Sequence, residues 1–431
     1  MKNTSREYNR KHNFKICLFL IFILGYTYHP LALAQSNSAD EKNPFRVSVT
    51  YTGEFWGNLS GGVERGTAYL DNIDVNLEID FEALPLGLEG TTVYIYGLGN
   101  QGNSISQLTG DLQGLSNIEA QNSWRFFEVW AQKKFFLANS SVLVGLYDIN
   151  SEFNVLESSL LFLNSSHGLD ASLALSGVLG PSTFPFTSLG GRFKINPSGG
   201  WVFKVAVLDG VPSNPANTRG TKIFWREDDG LLYLAELALY SIKGNQLERR
   251  SRTARLQRLL DRGAAERGGY KFAIGGWAYS QRRSGWIQDE SEKRDLGLYA
   301  MGEYQIYSEP ADPVQGITVF GRASIANEQI NRLAGYLGGG ITYRGLIDGR
   351  SRDDLGFSVA HAINSSAYRS VSLELNNRPS ERAETNFEFT YLAVLNPSVS
   401  VQADLQYIMN PNMVPGTPNS LAVGARMLLS F

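Results

Sequence analysis

Between Glu384 and Phe431 the chain alternates apolar and polar side chains with a period of two in three separate stretches, Phe387–Tyr391, Val399–Met409 and Leu421–Phe431. That period sends successive side chains to opposite faces of a strand. In the middle stretch Val399, Val401, Ala403, Leu405, Tyr407 and Met409 share one face, and Ser398, Ser400, Gln402, Asp404, Gln406 and Asn410 share the other. In the last stretch Leu421, Val423, Ala425, Met427, Leu429 and Phe431 stand opposite Gly424, Arg426 and Ser430. Strands of this length, greasy on one side and polar on the other, suit the roughly nine to eleven tilted residues that cross a bilayer's hydrocarbon in a barrel. The pattern therefore predicts an all-β chain folded as an outer-membrane antiparallel β-barrel, and the rest of the sequence can be tested against it.

The same reading yields sixteen strands. They run over Phe45–Trp56, Tyr69–Phe81, Thr91–Leu98, Trp124–Phe136, Val142–Asp148, Thr187–Ile195, Trp201–Leu208 and Leu231–Tyr240, then Tyr270–Ser280, Leu296–Tyr307, Gly316–Ser324, Gly335–Arg344, Asp354–His361 and the three at the end. In the second strand Ile73, Val75, Leu77, Ile79 and Phe81 oppose Asn72, Asp74, Asn76, Glu78 and Asp80. Five polar or acidic side chains in a row make a poor core but a good lining for water. An even count brings both termini to one rim. With that rim in the periplasm, inward turns such as Leu137–Ser141, Asn196–Gly200 and Asn396–Ser398 are short, whereas Gly99–Ser123 and Ile149–Phe186 are long outward loops, as outer-membrane barrels require. One inward connection is different. Residues 242–269 carry Lys243 and seven arginines, with Leu256, Leu259 and Leu260 at helical spacing, and read as a basic periplasmic turn, either simply solvated or touching anionic headgroups or the cell wall.

The N-terminus has the form of a signal peptide. Lys2, Arg6, Arg10, Lys11 and Lys15 precede an apolar run from Ile16 to Leu24, which is too short to span a bilayer, and Ala32-Leu33-Ala34 offers a small-x-small cleavage site. Residues 1–34 are thus expected to leave and 35–431 to form the barrel domain. Five basic and one acidic side chain leave with the leader, so the net charge moves from −3 to −7, which argues against a nucleic-acid partner. Cys17, the sole cysteine, lies in the leader, so neither disulfide nor thiolate metal chemistry is expected. His12 and His29 leave too, and His167 with His361 gives little material for a histidine catalyst or a zinc site. No cofactor is implied. Among 431 residues stand 44 Gly, 20 Tyr, 23 Phe and 7 Trp, a composition that a wet-cored barrel and a large secreted glycan-binding β-protein would share.

Short stretches along the chain resemble the OprB family of carbohydrate-selective porins. They are Tyr51–Glu54 with Asn58–Gly62, Tyr69–Asn72, Gly145–Asp148 followed by Asn150–Phe153, Phe162–Ser165, Gly345–Arg350 with Asp353, and Gln402–Tyr407. Each is brief, and their order and spacing from about Thr50 to Phe431 make the likeness specific. The resemblance implies a sixteen-stranded barrel in a Gram-negative outer membrane that lets monosaccharides such as glucose diffuse inward without energy coupling. The basic turn, and Ala403 where the family commonly has Pro, depart from its pattern.

A neutral sugar crossing a constriction needs groups that replace its lost water and still let it go. Carboxylates and guanidiniums engage vicinal hydroxyls in pairs, and aromatic faces stack on the C–H face of a pyranose. Strand parity sends Asp74, Asn76, Glu78, Asp80, Glu128, Lys204, Glu236, Arg322, Arg344, Glu388, Asp404 and Arg426 into the lumen. The loop after the fifth strand, about 149–186, occupies the position from which general porins narrow their lumen. Asp148, Asn150, Glu152 and the segment Asn164–His167 are accordingly the expected constriction. The bland alternatives are that lumen carboxylates stiffen the wall, that Asp148–Phe153 is a loop-anchoring turn, and that His167 is an ordinary loop residue. Expected partners are small sugars, outer-membrane lipid and, through the strand ending at Phe431, the barrel assembly machinery. A monomer and a homo-oligomer are equally compatible with the sequence. Competing functions are a general diffusion porin without a sugar site and, more remotely, an outer-membrane barrel enzyme.

Overall fold

The structure, a computed structural model, describes residues 43–431 except 198, 214–219, 242–268, 288–290 and 377. The expected leader and nearly all of the basic turn lie outside the described residues. Sixteen strands form a closed ring: β1 (Phe45–Ser60), β2 (Gly66–Asp80), β3 (Thr91–Gly102), β4 (Ser123–Phe135), β5 (Ser140–Tyr147), β6 (Ser188–Ile195), β7 (Trp201–Asp209), β8 (Leu231–Tyr240), β9 (Tyr270–Ser284), β10 (Glu292–Ser308), β11 (Gly316–Ala326), β12 (Leu333–Arg344), β13 (Asp354–Asn364), β14 (Ala383–Asn396), β15 (Val399–Met409) and β16 (Ser420–Ser430). Each strand pairs antiparallel with its neighbours in sequence, and β1 pairs with β16 to shut the ring. At that seam Glu54 lies opposite Arg426, and Phe431 exchanges backbone hydrogen bonds with Val49 at 2.9 and 3.1 Å.

All sixteen expected strands are present, and the differences lie at their ends. β14 runs from Ala383 to Asn396 rather than over Phe387–Tyr391. Its inward positions switch from Glu384, Asn386, Glu388 and Thr390 to the apolar Leu392 and Val394, so the alternation fades while the ladder continues. β2 stops at Asp80. Phe81 opens a 3-10 turn for which the Asp80 side chain acts as cap, accepting the Glu82 N–H at 3.0 Å. Asp80 thus sits at the rim as a turn former rather than inside the lumen.

The wall is inside-out relative to a water-soluble protein. On β15 Gln402, Asp404 and Gln406 are buried, while Val401, Leu405 and Tyr407 are about two-fifths exposed. Exposed apolar side chains on an outer face meet hydrocarbon, where they lose nothing by not being covered by protein. His361 lies on that outer face of β13, with Nδ1 2.8 Å from Thr385 Oγ1 on β14. Aromatic rings lie over glycines where the wall must be thin. At Gly424 on β16 a Cβ would come within 2.5 Å of the indole of Trp56. No helix among the described residues is long and apolar enough to cross a membrane.

The tightest turns and the longest described loops divide as expected, with 61–65 and 327–332 short at the long-loop rim and 81–90 and 345–353 longer at the other. Turns 136–139, 196–200 and 397–398 at one rim are short, whereas loops 103–122, 148–187, 210–230 and 365–382 at the other are long.

Candidate functional site: the narrowed lumen

Two of the long loops, 103–122 and 148–187, fold back into the barrel because each carries a buried apolar core. Ile105, Leu115 and Ile118 pack with Trp56, Leu163 and Ala422. Phe153, Leu156, Leu161, Phe162 and Leu173 pack against inward Trp277, Tyr299, Met301 and Phe320 of the wall. Phe162 sits flush on β13, where a Cβ at Gly356 would come within 2.8 Å of its ring.

A loop inside a barrel must have its backbone groups satisfied, and wall side chains do this. Glu303 accepts the N–H groups of Glu157 and Ser158 at 3.0 and 2.8 Å and the Ser158 hydroxyl at 2.6 Å. Glu384 accepts from the N–H of Leu112 at 2.8 Å and of Gln113 at 3.0 Å. Glu388 accepts from Leu163 and Asn164. Glu236 accepts the Asn154 N–H at 2.8 Å and the Tyr299 hydroxyl at 2.7 Å, and pairs with Lys204 at 2.6 Å. In the other direction, Gln402 and Gln406 donate to the carbonyls of Leu161 and Leu115 at 2.7 and 2.9 Å, and Arg322 donates to those of Ser166 and Asn154, both at 3.1 Å. Each of these bonds satisfies a loop group that would otherwise be buried without a partner, and together they fix the loops.

The residues expected from the sequence fall into three groups. Asp148 and Asn150 come together at a cleft of about 160 Å³ between the two loops, with Gln113, Asn117, Ser165 and Thr183 as further polar lining and Leu160, Phe162 and Phe184 as apolar lining. Asp148 also caps a 3-10 turn by accepting the Asn150 N–H at 2.8 Å, and Asn150 donates to the Gly168 carbonyl at 2.9 Å, so the turn former and the cleft lining are the same residues. Glu152, Asn164 and His167 lie behind that lining. Glu152 pairs with Arg192 at 2.6 Å and accepts the Tyr147 hydroxyl at 2.8 Å. Asn164 accepts the Ser166 N–H at 3.0 Å. The His167 ring rests 5.2 Å from that of Phe162 and 5.6 Å from that of Phe320. Burial, aided by the Arg322 guanidinium, pushes the His167 pKa down to about 3, which keeps the imidazole neutral.

The remaining residues belong to the wall. Asp74 accepts the Tyr96 hydroxyl at 2.5 Å, Glu128 accepts the Asp148 N–H at 3.2 Å, and Asp404 accepts from Gln406 at 3.0 Å. Arg344 is buried on β12, in register with Asp354. Glu78 is at the rim, half-buried against Arg46. Glu236, Arg322 and Glu388 are the loop clamps already described. Sequence reasoning missed Glu303, Glu384 and Arg192, although their inward parity was available, and it missed Gln113 and Asn117, for which no periodic signal exists. Asn117 ties the second loop to the seam, donating to the Phe162 carbonyl at 3.2 Å and accepting from Arg426 at 2.7 Å.

A closed antiparallel barrel with a lipid-facing outer surface and a lumen narrowed by its own loops is an outer-membrane porin-type channel. Residues 64–431 match the model of the family described as carbohydrate-selective porin, OprB family, and the chain belongs to that family. Porin B of Pseudomonas aeruginosa is 22% identical over 426 residues, covering 90% of this chain and 87% of that protein. The high-pH structure of Pseudomonas putida OprB superposes with a TM-score of 0.75 at 19% identity, over 90% of this chain and 94% of that one. Its low-pH counterpart gives 0.54 at 17%, over 90% and 93%. A daunomycin complex of Salmonella typhi OmpF gives 0.53 at 10%, over 90% and 98%. These likenesses to solved structures are of fold. The family and fold are those of a channel for the passive diffusion of small carbohydrates across the Gram-negative outer membrane rather than those of an enzyme.

Proposed function

We propose that the channel admits single neutral sugar rings, monosaccharides such as glucose, and that they pass the cleft between the two in-folded loops. What supports this reading is the make-up of that cleft. It is small beside the 300–1,000 Å³ typical of drug-sized sites, and it sets the carboxylate and amides of Asp148, Asn150, Gln113 and Asn117 around Leu160, Phe162 and Phe184. Amides offer donors and acceptors together, so hydroxyls are met without either ion sign being strongly favoured, and the rings offer a stacking face. Glu152, Asn164 and His167 then act by holding the loop, as do Glu128, Glu236, Arg322 and Glu388. Outer-membrane lipid is the proposed partner of the outer face, and the strand ending at Phe431 the proposed handle for the barrel assembly machinery. Residues 1–34 are proposed to be the leader that exports the chain.

Planar-bilayer conductance, titrated with glucose and with a charged solute of similar size, tests the sugar reading. Saturable block by millimolar glucose, weakened several-fold in Asn150→Ala, is the expected result. Open channels indifferent to glucose would make this a general diffusion pore.

A further inference from the structure

The eight-residue strands β5 and β6 leave a gap in the barrel's hydrogen-bonded wall. β4 pairs with β5 only over Val129–Phe135, although on its other side it continues along β3 up to Ser123. Among the described residues the outer half of β4 therefore has an edge with no strand on it. In a membrane such an edge is costly, because hydrocarbon supplies no hydrogen bonds. Two threonines from different loops take up its carbonyls. Thr187 donates to Phe127, and Thr221 donates to the Phe126 carbonyl at 3.0 Å. Thr221 belongs to the β7–β8 loop, which thus reaches back past β6 and β5 to β4. On the inner side of the same gap lie Thr183 and Phe184, which line the sugar cleft, and the Phe184 ring is 6.2 Å from that of Phe127.

The residue after Thr221 fixes the loop there. Lys222 is buried, and its Nζ contacts Asp209 Oδ2 at 2.7 Å, the Val211 carbonyl at 2.7 Å and Asp229. Asp209 ends β7 and Asp229 sits just before β8, so one ammonium ties both feet of the loop to its middle. The next three side chains are turned out: Ile223, Phe224 and Trp225 are 68, 46 and 52% exposed. The Thr221 bond brings the start of this stretch beside Phe126, itself 58% exposed on the outer face of β4. A buried ion cluster is not a cheap way to gain stability, but it specifies one geometry, and here that geometry presents three consecutive large apolar side chains beside Phe126. In water such a patch is a liability. This one is continuous with the lipid-facing wall, and its Trp and Phe content is that of the aromatic girdle where barrels meet the membrane interface. The Arg226 guanidinium, 5.8 Å from the centre of the Phe224 ring, lies at its edge.

We propose that Ile223–Trp225 is inserted into the lipid of the outer leaflet and, with Phe126, seals the gap beside the short strands, Lys222 being the residue that holds the seal in place. The partner is the acyl and interfacial region of the surrounding lipid, and the seal separates that lipid from the sugar cleft.

The experiment uses the full chain expressed to the outer membrane in a C17S background, so that an introduced thiol is the only one. F224C carries a fluorescent maleimide in reconstituted vesicles, with I347C in the exposed β12–β13 turn as the aqueous control. The expected result is quenching of the 224 probe several-fold stronger by nitroxide-labelled lipid than by iodide, the reverse at 347, and loss of at least half of the lipid quenching when K222M is added. W225C repeats the test, and the heat-sensitive gel mobility of a folded barrel confirms that each variant is intact. Iodide access at 224 equal to that at 347 would overturn the proposal. So would shielding from both quenchers with cross-linking between two copies of the chain, and unchanged lipid quenching in K222M would overturn the role given to Lys222.

Discussion

The sector formed by β13–β16 and the sector formed by β5–β7 solve the same problem with different chemistry. The first has strands of 11 to 14 residues with complete ladders. Its inward Glu384 and Glu388 direct their lone pairs at the backbone of the in-folded loops. The second has strands of eight and nine residues. Its charges meet each other in buried pairs, Arg192 with Glu152 at 2.6 Å, Lys204 with Glu236 at 2.6 Å and Lys222 with Asp209 at 2.7 Å. Where the ladder is complete, the polar inner face is free to hold a loop. Where it is cut short to let a loop turn inward, buried pairs such as Arg192 with Glu152 and Lys222 with Asp209 join strand to loop as well, although Glu236 also accepts a loop N–H and the first sector has the buried pair Arg426 with Glu54 at its seam.

If that contrast is right, the largest single loss should come from the short-strand sector. Arg192→Met leaves Glu152 buried without its cation, and breaking a buried pair from one side costs about 3–5 kcal/mol. Urea unfolding of the refolded barrel should show it, and a loss below about 1 kcal/mol would erase the distinction between the sectors. Glu388→Leu in the long-strand sector should act differently. It strips the acceptor from two loop N–H groups, which lumen water can then meet, so the cost, about 1–3 kcal/mol in all, falls on the loop's position while the ladder stays intact. Single-channel recording should show a wider, noisier pore with barrel unfolding little changed, whereas collapse of the barrel would mean that this sector too depends on its inner charges.

His167 sharpens the comparison through pH. Its pKa is about 3 in the folded loop and about 6.5 in an unfolded chain, so the unfolded form takes up the proton first. The loop's stability is then fully present above about pH 6.5 and declines as pH falls toward 3. Protease nicking of loop 148–187 should rise over that window and His167→Gln should flatten the rise; equal profiles would remove the histidine from the account. The smallest effect is expected at Asn117→Ala, which loses the bonds to Arg426 and to the Phe162 carbonyl and one cleft amide. Glucose block should weaken two- to three-fold with stability unchanged, and an unaltered block would place the sugar path away from Asn117.

Strand positions were legible because the alternation between lipid and lumen is imposed at every second residue. It failed where the inner face itself turns apolar, as at Leu392 and Val394, where a side chain caps a turn, as at Asp80, and at the ends of β1, β3, β9 and β10, where the ladder runs about four residues past the alternating stretch. Inward parity also exposed Glu236, Arg322 and Glu388, but parity says only that a side chain faces inward and not what it meets there. These side chains meet loop backbone, and that pairing joins residues such as Leu163 and Glu388, 225 positions apart, through contacts that leave no period in the sequence. The loops are legible in their turn formers, Asp148, Asn150 and Asn164, and silent about Gln113 and Asn117, whose importance arises only when two loops meet.

The seam between β1 and β16 carries a consequence in time. The bond from Arg426 to Glu54 spans 372 positions, so it ranks among the most non-local contacts in the chain, and such contacts form late because a long loop must close before they return anything. Until β16 arrives, the other fifteen strands are an open sheet with two bare edges, the form most prone to pair with a stranger. The channel's last ladder is therefore also a clock. The chain is neither pore nor membrane resident until it is finished, and whatever accompanies it before that moment must guard those edges rather than any part of the sugar path.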